Sequence, residues 1–141
     1  MTTSRRRDDA LAAAAIDRDG GPGAGSIPGK GIDPVVMMGT LESLLTGASD
    51  EQVASDPRSG HAVAERDGGE RLVIALTDSL AAALAATDAK KLHAVAKPWC
   101  ETEEFWGQGE PAVVEKFLAE LASLARRATD RGERLYCWVC V

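Results

Sequence analysis

The chain closes on Leu-Tyr-Cys-Trp-Val-Cys-Val, which sets Cys137 and Cys140 in a Cys-x-x-Cys arrangement. Such a pair does redox chemistry when its first thiolate stands at a helix N-terminus, which lowers the thiol pKa. Here the expected helix precedes the pair, and the residues around it favour strand. Residues three apart in a strand point to opposite faces, so the sulfurs would meet only across a bulge. A zinc site needs two further ligands. Cys100, His61 and His93 are the other cysteine and histidine residues, and none forms a close-spaced second pair. Buried structural thiols are therefore expected. A zinc-stabilised module through Cys137 and Cys140 ranks third among the functional readings.

The second candidate is the run Trp-Cys-Glu-Thr-Glu-Glu-Phe-Trp-Gly from Trp99. On a helix starting at Pro98, Trp99, Glu103 and Trp106 fall at i, i+4 and i+7 on one face. A carboxylate between two indoles is desolvated, and its raised pKa would suit an acid or a polar anchor in a ligand pocket. The same residues also suit a plainer arrangement, with both indoles in the core and Glu103 at its rim. Glu101, Glu103 and Glu104 would complement the helix dipole in either case. No base or nucleophile stands at a readable spacing from Glu103, so no catalytic residue is assigned. His61 and His93 lack triad partners, and Ser59 is outside any Gly-x-Ser-x-Gly elbow. Gly29-Lys30 fails as a phosphate loop, because Ala24 stands where its first glycine belongs and Gly31 follows the lysine. Trp99, Glu103 and Trp106 remain as candidate partner- or ligand-binding residues, with no metal and no cofactor expected.

These residues need elements to position them, and 141 residues suffice for one domain. Residues 1–32 are expected to form a flexible Gly/Pro/Ala-rich tail and residues 33–141 a compact domain. Within the latter, Asp33 caps a helix whose first position is Pro34, with Met37, Met38, Leu41, Leu44 and Leu45 at helical spacing and Gly47 as its stop. Ser49 and Gln52 have the spacing of a capping box. The runs 69–76 and 132–139 read as short buried strands, and the first would close a hairpin at Asp67-Gly68-Gly69. Thr77 or Asp78 caps the next helix, Asp88 another, and Pro98 starts a further turn or two. The clearest element is a long amphipathic helix from Pro111 to just before Gly132, with an apolar stripe from Val113 to Ala128 and Arg126, Arg127 and Arg131 at its negative end. The expected fold is α+β: a mostly helical single domain with two or three short strands, the last one following the long helix.

This order of elements resembles the YfbM-like family of small bacterial proteins. The likeness rests on Leu-Glu-Ser-Leu-Leu-Thr-Gly at 41–47, the segment 76–92, Trp99, and the segment 117–139. It departs where the family usually has a Trp and a His, with Met38 and Glu42 here, and no opening strand is expected. The resemblance implies a compact α+β domain and brings no catalytic residue with it. It suggests an immunity-type role.

The net charge of −6 opposes nucleic acid as the main partner, since phosphate binding needs a basic stripe. Arg5–Arg7 is the one basic cluster, and Asp8 and Asp9 follow it. No run approaches the roughly 18 apolar residues of a membrane helix. An odd number of cysteines does not read as a secreted disulfide framework, so a cytoplasmic setting is expected. The leading functional expectation is a non-catalytic domain that binds a basic protein partner, immunity-like or antitoxin-like. The runner-up is a small enzyme or ligand-binding domain using the Trp99–Glu103–Trp106 face.

Overall fold

The longest apolar stripe organises the molecule. A computed structural model describes residues 2–15, 27–28, 33, 35–102 and 110–140. In it, helix α6 (Pro111–Asp130) buries Val114, Leu118, Leu121, Ala122, Leu124, Ala125 and Ala128 along one side. Burying a leucine side chain completely contributes about 1.5–3 kcal/mol, so this stripe is a principal source of stability. Pro111 begins the helix, where its absent N–H leaves no hydrogen bond unmade. Its end is a Schellman stop: Gly132 is left-handed at φ 65°, and the Glu133 N–H reaches back to Ala128 O at 2.7 Å. That turn delivers the chain into strand β5 (Arg134–Cys140).

β5 lies at the centre of a five-stranded sheet. With β1 (Thr2–Arg6), β2 (Ile27–Pro28), β3 (Ala62–Arg66) and β4 (Arg71–Ala75), the order is β2-β1-β5-β4-β3, and every neighbouring pair is antiparallel. Residues of β5 alternate between two cores, as a pleated strand requires. Leu135 and Cys137 join a large core with α2 (Val36–Thr46), α4 (Asp78–Ala86), α5 (Ala89–Cys100) and α6. Tyr136 belongs to a smaller core on the opposite face, with Ala12 of α1 (Asp9–Ala15), Ala64, Val73 and Ala75. The fold is thus α+β and mostly helical, and its C-terminal strand follows the long amphipathic helix.

Local chemistry sets most of the boundaries. Ser49 and Gln52 make both bonds of a capping box at the start of α3 (Asp50–Ala54), Thr77 caps α4 through Leu80 N, and Asp88 caps α5 through Lys91 N. The Asp33 carboxylate accepts from Val35 N and Val36 N at the start of α2, while Pro34 is outside the described residues. The expected hairpin joins β3 to β4 through a 3-10 turn at Asp67–Gly69.

Three expectations need correction. Among the described residues the sheet has five strands, not two or three, because β1 and β2 come from the stretch expected to be a tail. β1 is Thr-Thr-Ser-Arg-Arg and shows no apolar pattern, yet it pairs with β5 from Thr2↔Trp138 to Arg6↔Arg134, burying Thr3 and Ser4. Backbone pairing holds it and its buried side chains are small hydroxyls, and neither leaves a hydrophobic signature. An opening strand is therefore present. Finally, α5 runs through Pro98 rather than starting there. A proline near a helix end frees one carbonyl, that of Ala94, and Ala94 is solvent-exposed.

Candidate binding cleft between α2 and α3

Trp99 is fully buried. Its indole N–H donates to Met37 O at 2.8 Å, and its ring stacks on Phe117 with centroids 6.2 Å apart. It is a core strut tying α5 to α2 and α6, and it presents no face to a ligand. α5 ends at Cys100, and Thr102 Oγ1 donates to Trp99 O at 2.7 Å in the turn beyond. α5 thus does not continue through Glu101 and Thr102. Glu103 and Trp106 themselves lie outside the described residues.

Cys137 is likewise buried, and burial pushes its thiol up to about 12, with the Thr3 hydroxyl 3.7 Å from its sulfur. A thiol held in that state stays protonated at neutral pH and is a poor nucleophile. β5 pairs with β4 without a register shift from Ala75↔Tyr136 to Arg71↔Cys140, so no bulge folds Cys140 back towards Cys137. The Cys140 side chain lies outside the described residues. Among the described residues no group of His, Cys, Asp or Glu is placed to hold a metal ion, and no helix is long and apolar enough to cross a membrane.

Two polar clusters went unread in the sequence. In the first, Asp9 accepts the Tyr136 hydroxyl at 2.5 Å and Arg58 Nη1 at 3.0 Å. Arg58 also donates to Leu76 O and lies over the Tyr136 ring, 5.7 Å from its centroid. Burial works to raise the Asp9 pKa, but the Tyr136 and Arg58 hydrogen bonds outweigh it and hold the carboxyl below its ordinary range. Arg134 pairs with Asp78 at 3.4 Å alongside. Positive and negative charges balance here, so the cluster ties α1 to β5 and the Arg58 turn and offers no charged site.

The second cluster lies under an opening. Glu42 is 5 % exposed, on the same α2 stripe as Met38 and Leu41, and it accepts the Thr77 hydroxyl. Desolvation is the main reason its pKa is raised; the Thr77 bond opposes that shift and Asp56 adds to it. Above lies a cleft of about 270 Å³ whose walls are Val35, Val36, Val53 and Ala54, with Thr40 and Asp50 at the edge. Val35 and Val36 are 40 % and 53 % exposed. A void of about 10 Å³ next to Glu42 and Thr77 shares Val35, Gly39, Val53 and Ser59 with this cleft.

Glu42 had a readable signal: Met38 and Glu42 are four apart, which places a carboxylate on the apolar side of α2. The cleft had none, because it is the space left between α2, α3 and the Arg58–His61 turn. No family model, curated protein or solved structure matches the chain.

Proposed function

We propose that the protein is a non-catalytic binding domain that takes a basic protein partner in the cleft between α2 and α3, as an immunity-like or antitoxin-like inhibitor. The observation that carries this is the pairing of an apolar cleft with one-signed charge. From 33 to 57 the chain has Asp33, Glu42, Asp50, Glu51 and Asp56 and no Lys, Arg or His. Asp33, Asp50 and Glu51 are exposed. A volume of about 270 Å³ falls just below the usual range for drug-sized ligands and suits one anchoring side chain of a larger partner. The surrounding carboxylates would then speed encounter and select positive charge, in keeping with the net charge of −6. The runner-up, a ligand site on the Trp99 face, loses its first member to the core.

The test is affinity capture from cell extract by the wild-type protein and by a Val36→Asp, Asp50→Lys double variant. Both substitutions are at exposed positions, so the fold is expected to survive. The expected result is one basic protein held stoichiometrically by the wild type and lost by the variant. Equal capture by both, or capture by neither, refutes the proposal.

A further inference from the structure

Among the described residues, Glu42 is a buried carboxyl without a counter-ion. Buried Glu is rare unless paired with a cation or fully hydrogen-bonded. Among the described residues Glu42 has one side-chain bond, from Thr77 Oγ1 to Oε1, and no ion pair. Arg58, next in sequence to Ser59 of the void's lining, is turned to Asp9 and to Leu76 O. Asp56 adds charge of the same sign. Thr77 is itself fixed as the cap of α4, accepting from Leu80 N at 3.1 Å, so it holds the carboxyl in place. The void beside Glu42, about 10 Å³, has room for one water-sized group. The void and the cleft share Val35, Gly39, Val53 and Ser59 in their linings, and Gly39 adds no side chain to that shared boundary.

We propose that the cleft recognises a lysine of the partner: the four-carbon stem lies against Val35, Val36 and Val53, and the ammonium enters the void to pair with Glu42. This deepens the reading above and rests on it. An ammonium is a compact point charge on a flexible apolar stem, and its size matches the void. A guanidinium is planar and carries five donors in a fixed fork, too broad for a water-sized space. Ser59 lines both spaces and offers its hydroxyl oxygen as a second acceptor. Norleucine, with the stem but no charge, would leave Glu42 unpaired. The site therefore distinguishes lysine from arginine by size and from norleucine by charge.

The experiment titrates three peptides, acetyl-Ala-Ala-X-Ala-Ala-amide with X lysine, arginine or norleucine, into the isotope-labelled full chain and follows its amide resonances. The lysine peptide is expected to saturate, with shifts gathered at Val36, Gly39 and Val53, and to bind at least about tenfold more tightly than the other two. Glu42→Gln, which keeps the acceptor for Thr77, is expected to abolish that preference. Gly39→Ala adds a methyl at that boundary without touching the carboxyl, and is expected to weaken the lysine peptide by a similar factor. Equal binding of lysine and arginine peptides at the cleft, unchanged by Glu42→Gln, overturns the lysine assignment and leaves the binding cleft standing. Absence of shifts at the cleft with every peptide overturns both.

Discussion

Gly39 lies inside α2, with its N–H on Val35 O at 2.9 Å and helical neighbours on both sides. A glycine within a helix costs about 0.5–1 kcal/mol relative to alanine, chiefly because the unfolded chain has more freedom to lose. The usual reason to keep one is that a Cβ would collide. Here a Cβ would meet only Val53 Cγ1, at 3.7 Å, an ordinary contact. Gly39→Ala is therefore expected to stabilise the fold by about 1 kcal/mol, from propensity and from the new methyl contact together. For a chain of this size that corresponds to a rise in Tm of roughly 3–5 °C. The same methyl would stand in the wall shared by the cleft and the Glu42 void, so ligand binding should weaken as stability rises. Calorimetry on the free variant reads the first effect and peptide titration the second. A variant less stable than wild type would refute the steric reasoning about α2. One that is more stable but binds the lysine peptide undiminished would refute Gly39 as the boundary crossed to reach Glu42.

Trp99→Phe removes the added donor to Met37 O and part of a fully buried ring. The expected loss is about 2–3 kcal/mol in urea unfolding, and a change under about 0.5 kcal/mol would contradict its role as a strut. Tyr136 is the chain's single tyrosine, so alkaline absorbance titration reads it alone. Burial first, then the Asp9 hydrogen bond, pushes its pKa from 10.0 to about 12, with Arg58 opposing. The folded protein should thus form tyrosinate only near pH 12. Because the unfolded chain loses this proton first, the contribution to stability is complete below about pH 10 and is lost on the way to about 12. An inflection near 10 in the folded protein would show that the Asp9–Tyr136 contact is absent.

What was legible in the sequence had local causes. The Ser49–Gln52 box, the caps at Thr77 and Asp88, and the Pro111 to Gly132 helix each follow from a few adjacent residues, and each is formed. β1 was not legible because its burial depends on β5, more than a hundred residues away, and because Thr3 and Ser4 carry no apolar signal. Pro98 read as a helix start because proline favours first positions. Its place near the end of α5 is tolerable only because the carbonyl it frees belongs to exposed Ala94.

The residues that most resembled chemistry are those the core uses for itself. An indole and a thiol bury well, and Trp99 and Cys137 do so completely. Their types alone could not separate site from core, since the same apolar surface suits both. A carboxylate differs, because burial costs it dearly unless something compensates. Glu42 stands four residues after Met38 on an apolar helix side, within a stretch that has no cation from 33 to 57. Sequence order does not exclude a distant Lys or Arg as its partner. The fold does so among the described residues, by committing Arg58 to Asp9 and leaving a water-sized space where a counter-ion would sit. A cation that balances ionised Glu42 would have to come from outside the described residues. On that ground it is the buried acid, and not the tryptophan or the cysteine pair, that points to a partner.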